Sequence, residues 1–144
     1  MIHVEVATEV ARPVDEVFSL VTDPARLPDW QEGTISADIE GGGPLREGAR
    51  IREVHKGPFG RELESVVEVV AFEPGRRFNL RIVEGPLPIH GDHEFTAIDG
   101  GTRIDFTAHG ELRGPMRIAG PLIGRAISRQ FRGHFGRLKQ IAEG

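Results

Sequence analysis

The chain has 144 residues, of which 38% are hydrophobic and 28% are charged, and its formal net charge at pH 7 is −4. These values are ordinary for one globular domain, which we expect to span residues 1–144. Cysteine and tyrosine are absent, which excludes disulfide bonds, thiolate metal ligands, cysteine nucleophiles and phenolic proton transfer.

The chain begins with a predicted strand and two short helices. Apolar and polar residues alternate over residues 1–10, which is typical of a strand and not of a signal peptide. Apolar residues recur at helical spacing over residues 14–21 after Pro13, and Asp23-Pro24 begins a second short helix. No apolar run approaches the ~20 residues of a membrane span, so we expect a cytoplasmic protein.

The middle of the chain is predicted to form antiparallel strands joined by tight turns. A strand over residues 35–39 is followed by turn sequences at Pro58-Phe59-Gly60, Glu73-Pro74-Gly75-Arg76, Gly85–Pro88 and Gly100-Gly101. The cross-strand pairs that these turns predict are Ile51 with Val67, Glu53 with Ser65, Val69 with Leu80, Ala71 with Phe78, Leu80 with His93, Phe78 with Phe95, His93 with Ala108 and Phe95 with Phe106. One face of the sheet is then apolar, and the other carries the charged row Arg50–Glu68–Arg81–Asp92–His109.

The last segment is predicted to be one amphipathic helix that begins near residues 115–121. Its apolar stripe consists of Ala119, Leu122, Ile123, Ala126, Ile127, Phe131, Phe135, Leu138, Ile141 and Ala142. Four glycines interrupt this helix, at positions 120, 124, 133 and 136. Glycine is unfavourable inside a helix, so these positions indicate either close packing against the sheet or room for a ligand beneath the helix.

Positive charge is concentrated in the same segment. Residues 113–144 hold seven basic residues against Glu143 alone, whereas residues 1–112 hold 11 basic and 21 acidic residues. We expect the basic helix to complement the acidic sheet and its own dipole. The alternative is docking of Arg125, Arg129 and Arg132 on an acidic partner or an anionic membrane. No motif or aromatic platform favours nucleic-acid binding.

Four polar residues are predicted to lie on the apolar face of the sheet: Glu53, His55, Ser65 and His93. A carboxylate beside apolar walls can act as a general acid or base. His93 lies centrally in an apolar row and is expected to donate a proton or a hydrogen bond to a ligand carbonyl. Strand alternation sends His90 and Asp92 to the opposite face from His93, so no metal site is expected.

Several short motifs, together with their order along the chain, resemble the START and pollen-allergen (SRPBCC) superfamily, in its polyketide cyclase/dehydrase-like branch. The matching segments are VEVATEVARP, PVDEVFSLVTD, PARLPDW ending in Trp30, FEPGRRF, GGTRIDF and the long terminal helix. The resemblance implies an α+β helix-grip fold. In that fold a curved antiparallel sheet of about seven strands wraps around the C-terminal helix, and two short helices separate strands 1 and 2. A hydrophobic cavity lies between sheet and helix.

The expected function is therefore binding of a hydrophobic small molecule in that cavity. If the protein is an enzyme, we expect acid–base cyclisation or dehydration, with His93 and Glu53 as catalytic residues. The predicted ligand-binding residues are Trp30, Ile51, His55, Ser65, Val67, Val69, Phe78, Leu80, Ile82, Phe95, Phe106, Leu122, Ile123 and Ile127. A non-catalytic carrier of a lipid, quinone or aromatic metabolite is the alternative, and a protein-interaction module using the basic helix is a third. No cofactor is expected, and the sequence does not determine the oligomeric state.

Overall fold

The computed structural model describes residues 1–85 and 89–144 and contains the predicted succession of elements. Its strands are β1 (Ile2–Val10), β2 (Thr34–Ile39), β3 (Arg50–Lys56), β4 (Glu62–Glu73), β5 (Arg77–Glu84), β6 (Ile89–Ile98) and β7 (Gly101–Gly110). Its helices are α1 (Val14–Val21), α2 (Leu27–Trp30) and α3 (Gly120–Glu143), and short 3₁₀ turns precede α2 and α3. The helix-grip fold class is confirmed. The turn predicted over residues 85–88 lies, apart from its first residue, outside the described residues.

The seven strands form one antiparallel sheet in the order β1-β7-β6-β5-β4-β3-β2. The sheet curves around α3, which packs most extensively on β1. Phe135 of α3 is 1% exposed, and its ring lies 5.7 Å from the ring of Trp30 in α2. The core therefore lies between the inner face of the sheet and the helices, where apolar burial is greatest. In the chain outside residues 86–88, no helix is both long enough and apolar enough to cross a bilayer.

The predicted pairing is confirmed in the hairpin β3–β4 and in part of β4–β5. Ile51 lies opposite Val67 and Glu53 lies opposite Ser65. The pair Val69–Leu80 is also present, but the register then shifts, and Phe78 lies opposite Phe72 rather than Ala71. A bulge accounts for the shift, because one extra residue on β4 has no partner on β5.

The predicted pairings of β6 with both neighbours are wrong by two residues. His93 lies opposite Phe78 and Phe106, not opposite Leu80 and Ala108. In the hairpin β6–β7 the reason is the turn, which is Asp99-Gly100 and not Gly100-Gly101. Gly100 has φ +78°, a left-handed backbone conformation that glycine adopts without steric cost.

A shift of two residues keeps every side chain on its face, because strand side chains alternate with a period of two. Phe95 and Phe106 are therefore buried as predicted, although Phe95 lies opposite Ile104 and not opposite Phe106. The partners within the charged row on the outer face of the sheet differ more from the prediction. Arg81 pairs with Glu68 at 3.0 Å but lies opposite His90, whereas Asp92 contacts His109 diagonally, with Oδ2 3.0 Å from Nε2.

Two expectations about α3 are corrected by the burial of its residues. Leu122 belongs to the predicted apolar stripe but is 69% exposed. Gly133 and Gly136 are exposed, and a Cβ at either would meet no atom within 4 Å, so neither close packing nor space for a ligand explains them. Gly124 is half-buried, and its Cβ would also enter open space.

Candidate functional site

A cavity of about 380 Å³ lies between the inner face of the sheet and α3. This volume lies within the range of small-molecule sites. Exposed residues bound its opening, among them Glu32, Gly33, Lys56, Glu64 and Gln130. The buried part of the wall consists of Thr34, Glu53, Ser65, Val67, His93, Phe106, Ala108, Ile127 and His134. The half-buried part consists of Gln31, His55, Leu80, Ile82, Ile89, His90, Gly91 and Phe131.

A polar cluster of Glu53, His55 and Ser65 lies at one side of this cavity. Alternation along β3 places Glu53 and His55 on the same face, and the β3–β4 register brings Ser65 opposite Glu53. His55 Nε2 is 3.1 Å from Ser65 Oγ and 3.3 Å from Glu53 Oε1. Thr34 Oγ1 lies 3.4 Å from His55 Nδ1. The clustering of these three side chains was predicted from the sequence, and the structure has it.

The cluster does not have the geometry of a nucleophilic triad. In such a triad the serine and the carboxylate contact different nitrogens of the histidine, so that the acid orients the base. Here Glu53 and Ser65 both approach Nε2, and a threonine hydroxyl occupies the side of Nδ1. The arrangement can therefore pass a proton between a carboxylate and an imidazole, but it does not activate Ser65 for attack.

His93 is held at the base of the cavity in one tautomer. Its Nδ1 lies 2.9 Å from the carbonyl oxygen of Phe78. A carbonyl only accepts hydrogen bonds, so Nδ1 carries the proton and Nε2 is left with a lone pair in the neutral ring. Burial lowers the pKa of His93 to about 4, against a smaller opposing effect of the hydrogen bond to Phe78.

This tautomer changes the role expected of His93. At neutral pH the ring is uncharged and its only N–H is already donated to the backbone. A ligand hydroxyl can donate to Nε2, but a ligand carbonyl finds no donor there. The ring is also held by aromatic neighbours, with its centroid 4.8 Å from Phe106, 5.6 Å from Phe78 and 6.0 Å from Phe135.

His134 of α3 also lines the cavity and was not selected from the sequence. It is 5% exposed, and its ring packs edge-on against Phe131 at 5.1 Å. Burial lowers its pKa, the charge of Glu32 raises it, and His55 lowers it further. The helical spacing indicates from the sequence that His134 faces the cavity, because positions 127, 131 and 134 lie on one face of the helix.

The predicted ligand-binding residues fall into three groups: those that line the cavity, those that line a neighbouring space, and those that lie away from the cavity wall. Those that line the cavity, besides Glu53 and His93, are His55, Ser65, Val67, Leu80, Ile82, Phe106 and Ile127. Trp30, Ile51 and Phe78 line a neighbouring space of about 30 Å³, which Glu53, Leu80 and His93 also border.

The remaining four predicted ligand-binding residues lie away from the cavity wall. Val69 and Phe95 are packed in the core, and Ile123 packs partly against it. Leu122 is on the surface. Across the residues that the structure describes, no group of three or more histidine, aspartate or glutamate side chains is placed to hold a metal ion.

The sequence profile described as "Polyketide cyclase / dehydrase and lipid transport" matches residues 1–143. The chain belongs to this family. A search of curated proteins gave no match. The polyketide cyclase/dehydrase assignment agrees with the resemblance drawn from the motifs and with the cavity between sheet and helix.

Solved structures of the same fold come from varied sources. The di-domain aromatase/cyclase StfQ of the steffimycin biosynthetic pathway superposes with a TM-score of 0.82 at 17% identity, over 99% of this chain and 50% of that one. Protein CV1439 from Chromobacterium violaceum gives a TM-score of 0.78 at 14% identity, over 99% and 98% of the two chains. Ara h 8.0201 gives 0.74 at 15% identity, over 97% and 96%. At these identities the likeness establishes the fold.

Proposed function

We propose that this polyketide cyclase/dehydrase family member binds a hydrophobic small molecule with one or two oxygen atoms in the cavity beneath α3. The observation that supports this most directly is the division of the cavity wall into an apolar side and a polar side. Phe106 and Phe131 form an apolar side with ring centroids 4.5 Å apart, whereas Glu53, His55 and Ser65 form a polar side. Such a wall favours a ligand with an apolar body and few polar atoms.

We further propose acid–base chemistry on that ligand, of the cyclisation or dehydration type, in which Glu53 moves a proton and His93 positions the ligand. Ring closure next to a carbonyl removes a proton from carbon, and dehydration removes a hydroxyl together with a proton. Glu53 can accept the proton, and the ring of His55, with Nε2 3.3 Å from Glu53 Oε1, can return one to the departing oxygen. His93 Nε2 can accept a hydrogen bond from a ligand hydroxyl and so hold the ligand in place.

A non-catalytic carrier is the second candidate, and one observation favours it. The His93 ring is tied to the Phe78 carbonyl, and its pKa of about 4 keeps it neutral near pH 7. A histidine in that state orients a ligand but is a weak proton shuttle. The two candidates differ in the fate of the ligand, because a carrier releases it unchanged.

The proposal is tested first by native mass spectrometry of gently purified protein, followed by extraction and identification of any bound compound. Incubation of that compound with the protein then separates enzyme from carrier. For an enzyme we expect Glu53→Gln to reduce turnover by about a hundredfold or more. Unchanged turnover in both Glu53→Gln and His93→Asn would remove the catalytic proposal.

Cavity binding is tested separately with the fluorescent probe anilinonaphthalene sulfonate. Val67 lines the cavity, so Val67→Phe should fill part of it and weaken probe binding by about tenfold. Val83 is half-buried and does not line the cavity, so Val83→Phe is the matched control and should leave binding unchanged. Equal binding by both variants would place the probe elsewhere. The cytoplasmic location and the absence of nucleic-acid binding stay predictions, which cell fractionation and a gel-shift assay would test.

A further inference from the structure

Three large apolar side chains protrude into water at one end of the molecule. Phe59, at the tip of the β3–β4 hairpin, is 102% exposed, Ile118 before α3 is 88% exposed and Leu122 in its first turn is 69% exposed. Phe59 also has φ +60°, a backbone conformation that a bulky residue rarely adopts. Three exposed apolar side chains of this size, one of them in a strained backbone conformation, indicate a surface that meets an apolar environment.

Four arginines lie close in sequence to Ile118 and Leu122. Residues 112–142 contain no aspartate or glutamate. Arg113, Arg117, Arg125 and Arg129 are exposed, and within residues 1–85 and 89–144 none of them forms a salt bridge. Leu122, Arg125 and Arg129 share one helical face, because they are three and seven residues apart. The expectation that the basic helix is neutralised by the acidic sheet therefore does not apply to these arginines.

The protruding groups lie at the end of the molecule that holds the mouth of the cavity. β3, β5 and β7 all end at one edge of the antiparallel sheet, so the β3–β4 hairpin tip and the segment leading into α3 share that edge. His55, Lys56 and Leu63, from the two strands of that hairpin, line the cavity. Carboxylates at the same edge include Glu32 before β2, Glu62 opposite Lys56, Glu64 paired with Arg52 at 3.6 Å, Glu84 at the end of β5 and Glu111 after β7.

We propose that this end of the protein docks on the surface of an anionic lipid bilayer. Phe59, Ile118 and Leu122 enter the acyl-chain boundary, and Arg117 and Arg125 contact lipid phosphates. The three apolar side chains stand on separate segments and protrude singly. A bilayer accepts side chains at any spacing, whereas an acidic protein would need a matching pocket for each, so the bilayer is the favoured partner. A docked molecule would bring the mouth of its cavity to the lipid surface.

The test is co-sedimentation with vesicles of phosphatidylcholine alone and with vesicles in which about a third of the lipid is phosphatidylglycerol. We expect binding to the anionic vesicles that weakens as salt is added. The double variant Arg117→Gln/Arg125→Gln should bind about twenty-fivefold more weakly, since each basic residue near the surface contributes about fivefold. Ile118→Ser/Leu122→Ser should lose about tenfold or more.

Matched controls come from the opposite end of the molecule. Arg76→Gln removes an exposed arginine in the β4–β5 turn, and Val70→Ser removes a side chain that is 37% exposed. Both should sediment like the unaltered protein, and thermal unfolding should confirm that all four variants fold. Failure of the unaltered protein to bind anionic vesicles would overturn the proposal, as would normal binding by the arginine variant. The vesicle assay requires no cavity ligand, so its outcome is independent of the proposed function.

Discussion

At the scale of single residues, His93 shows how an environment determines what an ionisable group can do. Strand alternation placed it on the inner face, as the sequence predicted, but its neighbours are aromatic rings and a backbone carbonyl. Burial favours the neutral ring and the carbonyl selects the tautomer with Nδ1 protonated. A residue chosen as a proton donor thereby becomes a hydrogen-bond acceptor at neutral pH.

This environment predicts a pH dependence of stability. The pKa of His93 is about 4 when folded, against 6.5 as its ordinary value. The unfolded chain therefore binds more protons between these values, and the free energy of unfolding falls as pH decreases from 6.5 towards 4. We expect a loss of up to about 3 kcal/mol from His93, with His134 acting in the same direction.

Urea unfolding at pH 7.5 and 4.5 measures this dependence. His93→Asn keeps a donor for the Phe78 carbonyl but does not titrate, so it should reduce the difference between the two pH values. His3→Asn changes an exposed histidine and should leave the difference intact. An unchanged pH dependence in His93→Asn would show that His93 is not its source.

At the scale of elements, two glycines of this chain have opposite steric surroundings. Gly101 begins β7 where the strand passes close to the end of β1, and a Cβ there would collide with the carbonyl oxygen of Val10. Gly133 sits on the exposed face of α3, where a Cβ would meet nothing within 4 Å. The first position requires glycine for packing, whereas the second has no steric requirement for it.

The two glycines should therefore respond to alanine with opposite signs. We expect Gly101→Ala to lower the free energy of unfolding by about 3 kcal/mol, because backbone must move to admit the methyl group. Gly133→Ala should raise it by up to about 1 kcal/mol, because alanine is the better helix former. Urea denaturation with matched m-values measures both changes. Similar changes in the two variants would contradict this account of β7 and α3.

At the scale of the whole molecule, α3 joins the sheet to the short helices through one aromatic contact region. Phe135 contacts Trp30 of α2 and Phe106 of β7, with ring centroids 5.7 and 5.4 Å away. Side chains of α3 also bond to backbone outside the helix: Lys139 donates to the Glu9 carbonyl at 2.7 Å, and Arg137 donates to the Asp29 carbonyl at 2.9 Å. These contacts fix the C-terminal half of α3, beyond the residues of the helix that line the cavity.

Removal of the central ring should loosen this whole arrangement. We expect Phe135→Ala to cost about 3–5 kcal/mol of unfolding free energy. Trp30 is the only tryptophan and is 1% exposed, so its fluorescence should shift to longer wavelength as water reaches the ring. Phe59→Ala removes an exposed ring and serves as the control, with no change expected in either measurement. A native-like spectrum and stability in Phe135→Ala would refute the central role of this contact.

The sequence by itself determined the features that depend on neighbouring residues. Alternation and turn residues within the β3–β4 hairpin were enough to bring Glu53 and Ser65 together, because a tight turn transmits its register directly to the flanking strands. The tertiary structure alone decided the rest. The bulge in β4 moved Phe78 opposite Phe72, and the choice of Asp99-Gly100 as the turn moved His93 opposite Phe106. The seating of α3 on β1 placed His134 in the cavity and Leu122 in water, because helical periodicity defines a stripe but not how far along the helix the sheet covers it.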